Sequence, residues 1–188
     1  MKKFKYTLFG QMLEVLKSHA AMVVLFSVLW LCFIAAFSTE TGSVIFTILA
    51  VIFYFLSIYG CGEEAFKNDK KPYIPGEPSL KKSIVVPTLL IGMNILFVVL
   101  YKLTWVLGSD GESIQKMWSV ITNILSYAWF SGFGSIPGMD KGSFSIIGII
   151  TVILLPEVAY ILGYFAASKG FDYRDKLLAF MYEKKKNK

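Results

Sequence analysis

Apolar residues run almost unbroken over four stretches of this chain, at 18–37, 43–60, 83–107 and 143–166. Within each stretch they occupy every helical face rather than a single stripe, the pattern of lipid exposure or complete burial. Their lengths suit the roughly 17–25 residues that a helix needs to cross a ~30 Å hydrocarbon core. The pattern predicts an all-α integral membrane protein, a bundle of four transmembrane helices. Ser38-Thr39-Glu40-Thr41-Gly42 is a short polar turn, so the first two spans should form an antiparallel hairpin. A cleaved signal peptide fits the first stretch poorly. Its apolar part exceeds the usual ~7–15 residues, and no A-x-A site follows.

The segments between the spans have patterns of their own. In residues 1–17, Phe4, Leu8, Met12, Val15 and Leu16 share one face with lysines flanking it. This predicts an amphipathic interfacial helix that lies along one leaflet and then turns into the first span. Met117 to Ile136 carries no charge and is nearly long enough to cross. It also holds Trp118, Asn123, Tyr127 and Trp129, with Gly132, Gly134, Pro137 and Gly138 at its end. Tryptophan and tyrosine favour the headgroup level and the glycines suit a turn. The expectation is an external interfacial or re-entrant helix within 108–142, rather than a fifth span. The 61–82 loop contains Lys71-Pro72-Tyr73-Ile74-Pro75-Gly76-Glu77-Pro78. Prolines at every third residue align on one face of a polyproline helix, which stiffens the connection. In the tail, 167–188, Asp172 could cap a helix with an apolar strip of Leu177, Leu178 and Met181.

Composition agrees with the pattern. The chain is 55% hydrophobic and only 17% charged, outside the usual range of a soluble domain. The charges set an orientation. Residues 1–17, 61–82 and 167–188 together carry 16 basic and 8 acidic groups, whereas 38–42 and 108–142 carry two lysines and four acids. The positive-inside rule then places both termini in the cytoplasm of a cell membrane. Those lysines account for the net charge of +6, so nucleic acid is not needed to explain it. Lys184-Lys185-Lys186 would attract anionic lipid headgroups at about 1 kcal/mol per lysine. The same run could serve only to fix topology.

Candidate chemistry is sparse. There are two cysteines, Cys32 and Cys61, and one histidine, His19. A zinc or haem site is not expected from such a set, and no metal or cofactor is predicted. No nucleotide loop, HExxH, GxSxG or Ser/His/Asp arrangement is present, which argues against an enzyme. His19 is placed at the interface, Glu63 and Glu64 are expected to be a solvated pair, and Lys102 should snorkel outward.

Glu157 stands apart, because an ionisable group inside a span is costly and needs a reason. Pro156 removes a backbone donor and frees the carbonyl of Val152. Asn94 lies at similar depth in the third span, beside Gly92, which would permit close approach. Glu157, Tyr160 and Tyr164 share one face, at offsets that repeat a helical period. Ala159, Gly163 and Ala167 form a small-xxx-small stripe suited to helix packing. Glu157 could be a proton or cation site assisted by Asn94 and the Val152 carbonyl. It could equally be a neutral carboxyl that hydrogen-bonds another helix and specifies the bundle.

At Gly60–Asp69, and again at Leu155-Pro156-Glu157, Gly163-Tyr164 and Lys169-Gly170-Phe171, the chain resembles small four-span membrane proteins of Gram-positive bacteria. The resemblance implies the four-span topology and no activity. The functional expectation is a non-catalytic subunit or regulator of a membrane assembly, with a membrane protein or a second copy as partner. The alternative is a small carrier or channel component using Glu157.

Overall fold

A computed structural model describes residues 7–33, 39–71, 78–108, 117, 120–121, 124–126, 129–133 and 146–171. Its long helices are α1 (Leu8–Cys32), α2 (Glu40–Asp69), α3 (Leu80–Gly108) and α4 (Ile146–Ser168), with a short 3-10 turn at Ser131–Phe133. All four are long and apolar enough to cross a membrane. The chain is therefore a multi-pass helical membrane protein. The described positions from Met117 to Phe130 are also helical.

Local chemistry explains where the helices begin and end. Thr7 and Thr39 are the N-caps of α1 and α2, and their hydroxyls accept from Gly10 N and Gly42 N. Thr39, from the polar stretch expected to turn at 38–42, thus caps α2, and Glu40 to Gly42 already belong to the helix. α4 ends in a Schellman motif. Gly170 takes a left-handed φ of 75°. Phe171 N donates to Ala166 O, and Gly170 N donates to Ala167 O. These bonds satisfy carbonyls that the end of a helix leaves open.

Two boundaries differ most from the sequence expectation. α1 runs from Leu8 without a break, so Leu8, Met12, Val15 and Leu16 belong to the first long helix with no turn before its apolar part, while Phe4 lies outside the described residues. α2 does not stop at Gly60 but continues to Asp69. The charges after Gly60 end the apolar pattern, not the helix. Glu63 is buried there and pairs with Lys67 one turn on, at 2.8 Å. The expected solvated pair is therefore split, with Glu63 inside and Glu64 exposed. The proline-rich segment 72–77, the tail from Asp172 and the glycine turn after Phe133 lie outside the described residues.

Contacts fix the directions. Gln11 meets Asp69, Ser18 meets Ser57 and His19 meets Tyr54, so α1 and α2 form the expected antiparallel hairpin. Ser79, just before α3, meets Tyr164, while Asn94 meets Val152, so α3 and α4 run antiparallel. α2 and α4 consequently run parallel, and they share the broadest interface in the bundle.

Glycine creates that interface. A Cβ placed on Gly163 would sit 2.0 Å from Tyr59 O, and one on Gly62 would sit 2.2 Å from Tyr160 O. Each helix presses its backbone into a notch on the other. Ala159, Gly163 and Ala167, the small-residue stripe of the sequence, are buried here. Gly92 behaves otherwise. It is exposed, and a Cβ added to it would meet nothing within 4 Å, so it mediates no close approach.

Candidate functional site

Two polar nodes lie inside the bundle, at different depths. The first surrounds Asn94 near the middle of α3. Its Nδ2 donates to Val152 O at 2.9 Å, and its Oδ1 accepts from Trp129 Nε1 at 2.9 Å. Pro156 cannot donate to the Val152 carbonyl, and the Asn94 amide takes the place of that missing donor. The sequence brings Asn94 and the freed Val152 carbonyl to similar depth, and the structure joins them. Trp129 is the unexpected member, because its residue type favours the interface.

Trp129 enters the interior. Its ring stacks on Phe97 with centroids 4.5 Å apart and lies 4.4 Å from the His19 ring. Phe130 and Phe133 are buried beside it. Ser131 Oγ donates to Val23 O at 3.2 Å, and Gly132 would place a Cβ 3.3 Å from Val23 N. Trp129 to Phe133 therefore reach the mid-length of α1 and α3. Indole and backbone polar groups at that depth are tolerated because protein groups satisfy them.

His19 belongs to this node, inside the bundle. It is fully buried, and its Nδ1 lies 3.1 Å from the Tyr54 hydroxyl. The ring also contacts Phe133. The apolar run begins at Ser18, which puts His19 at the edge of the hydrocarbon. With α1 starting at Leu8, His19 falls near the helix centre.

The second node lies at the α2–α3 end of the bundle. Asp69 Oδ1 accepts from Gln11 Nε2 at 3.0 Å and from Lys82 Nζ at 3.2 Å. Its Oδ2 accepts from the Tyr164 hydroxyl at 3.0 Å. Tyr164 in turn accepts from Ser79 N at 3.0 Å. One buried carboxylate thus ties the end of α2 to α1, α3 and α4. Low local dielectric strengthens such a network only while every member stays paired.

Glu157 joins neither node. It is half-buried and makes no hydrogen bond or ion pair among the described residues. At about 100° per residue, it lies ~20° further round α4 than Tyr164, at the edge of the buried face. Tyr160 and Tyr164 themselves are buried. Asn94 bonds Val152 O and Trp129 Nε1, not Glu157. Val152 and Glu157 are five residues apart, which turns them to different sides of the helix.

Next to the second node, a cleft of about 50 Å³ opens between α1, α2 and α4, lined in part by Gln11, Glu14, Glu64 and Tyr160. Among the described residues, no group of three or more His, Cys, Asp or Glu side chains is arranged to hold a metal. No family model, curated protein or solved structure matches the chain.

Proposed function

We propose that the chain is a non-catalytic subunit or regulator of a membrane assembly, and that Glu157 is where its partner docks. The supporting observation is the state of that carboxyl. It sits within α4, half-buried at the edge of the packed face, with no partner among the described residues. An ionisable group at such a position is expensive unless it pairs. Other interior polar groups, at Gln11, Asp69, Asn94 and Tyr164, pair across helices within the chain. Glu157 is left for a donor on another helix, from a different membrane protein or a second copy. The bilayer is the common environment, and the lysine-rich segments favour both termini on the cytoplasmic side.

Affinity purification from native membranes in mild detergent tests the reading. The parent and Glu157→Gln should retain a stoichiometric partner, since an amide still hydrogen-bonds. Glu157→Leu should lose it. Recovery of the parent as a monomer at native expression contradicts the proposal. A reporter fused at Lys188 should report the cytoplasm, and external activity there would overturn the orientation.

The second reading is a small carrier or channel component with Glu157 as its proton or cation site. The same half-buried carboxyl favours it. Asn94 and the Val152 carbonyl give it no support, because they are engaged with each other. It requires pH-dependent flux in reconstituted vesicles that Glu157→Gln abolishes.

A further inference from the structure

The cleft between α1, α2 and α4 has a polar wall beside the Asp69 node. Gln11 is 4% exposed, and its Nε2 donates to the Asp69 carboxylate. A carboxylate accepts only, so this bond fixes the amide and leaves Oε1 as the unengaged end. Oε1 has no hydrogen-bond partner among the described residues. Tyr160 is 1% exposed, and its hydroxyl also has no partner among the described residues. Both side chains line the same cleft, on different helices, and both oxygens belong to a class of atom that is nearly always satisfied when buried.

The remaining lining gives the cleft its charge. Glu14 and Glu64 contribute carboxylates, and Asn68 completes the polar side, with its Oδ1 accepting from Lys71 Nζ. Lys17 lies 3.1 Å from Glu14, but it is a lining residue of neither wall and its side chain is 68% exposed. Two residues with buried, unengaged oxygens and two carboxylate residues thus line one small space. Oxygen donors of this kind suit a hard cation. The volume of about 50 Å³ accommodates a small ion together with a few waters. A multivalent metal is disfavoured, because no set of three metal-ligating side chains is present among the described residues.

We propose that this cleft binds a small monovalent cation, held by Gln11 Oε1, the Tyr160 hydroxyl oxygen and the carboxylates of Glu14 and Glu64. The site is separate from Glu157, and it stands whether or not the chain has a membrane partner. Binding there would clamp α1 against α2 and α4 beside the Asp69 node.

The test is thermal unfolding of the full chain in mild detergent. Sodium, potassium or ammonium chloride replaces choline chloride at one fixed ionic strength. The melting temperature should rise saturably with at least one small cation, because a ligand that binds only the folded state stabilises it by mass action. Choline carries its charge on a quaternary nitrogen shielded by methyl groups, which oxygen donors cannot approach closely, and should have no such effect. Glu64→Gln changes an exposed side chain and should fold normally, yet it should remove the rise. Tyr160→Phe deletes a buried, unsatisfied hydroxyl. It should melt no lower than the parent in choline, and its apparent cation affinity should fall by about tenfold. Equal melting temperatures in all the salts would overturn the proposal, as would a rise that persists in both variants.

Discussion

Replacing Gly163 by alanine should be among the most damaging single-methyl changes available in this chain. The added Cβ would lie 2.0 Å from Tyr59 O, 2.8 Å from Tyr59 C and 3.1 Å from Tyr59 Cα. Ordinary contact begins near 3.4 Å. Relief therefore needs a displacement of about 1.4 Å, and the obstacle is backbone, which cannot rotate away as a side-chain tip can. Separating α2 from α4 by that distance loosens every contact along their shared face, and a gap of 0.5–1 Å already forfeits about a quarter to a half of each dispersion well. Overpacking typically costs about 1–3 kcal/mol, and a backbone clash belongs at or above the top of that range, so ~3 kcal/mol is expected. Gly62→Ala should behave alike, because its Cβ would meet Tyr160 O at 2.2 Å. Gly92→Ala is the control. Nothing lies within 4 Å of its Cβ position, so it should be neutral or stabilise α3 by up to ~1 kcal/mol through helix propensity. Reversible unfolding in mixed detergent micelles measures all three. A Gly163→Ala variant within about 0.5 kcal/mol of the parent, on the scale of an ordinary surface change, would refute the backbone-contact argument.

Three further outcomes follow from the polar nodes and the helix end. Asn94→Leu should lose about 1–2 kcal/mol, since interhelical bonds in a membrane average ~0.6 kcal/mol each with maxima near ~1.7 and Asn94 makes two. A double-mutant cycle with Trp129→Phe should show coupling, and strict additivity would mean that the indole does not bond Asn94. Asp69→Ala should cost ~3–5 kcal/mol, because it strands Lys82, Gln11 and Tyr164 at one buried position; a loss below about 1 kcal/mol in the same unfolding assay would show the node to be dispensable. Gly170→Ala should cost ~1 kcal/mol through its left-handed backbone, although no neighbour obstructs the methyl, and hydrogen exchange should quicken in the last turn of α4.

Much of the architecture is written in hydropathy. All-round apolar runs specify four long helices, and the short polar turn at 38–42 specifies the hairpin. The small-residue stripe at Ala159, Gly163 and Ala167 marks a packed face because only small side chains permit such an approach. The Pro156–Val152–Asn94 relation is also accessible, since a proline's missing donor can be located by counting four residues back. Gly92 misleads because a glycine shows that close approach is allowed, not that another helix is there. His19 and Glu63 mislead because apolar runs mark the hydrocarbon, whereas the helices extend past it. Trp129 carries an interfacial preference that its partners Asn94, Phe97 and His19 override. Such pairings depend on which helices become neighbours, and one-dimensional periodicity does not contain that information.

The central claim is that the Glu157 edge of α4 faces another protein. Photo-crosslinking in native membranes tests it directly, with a photoreactive residue placed at Leu154 or Ile161. These flank Glu157 on the outer side of α4, where Leu154 is 52% exposed. Val28 on α1, 51% exposed, serves as the control position. The account predicts one discrete protein adduct from Leu154 and Ile161 and none from Val28, and it predicts that the adduct disappears when Glu157→Leu is added. An adduct of twice the chain mass would identify a second copy as the partner. Lipid adducts alone at all three positions would contradict the claim.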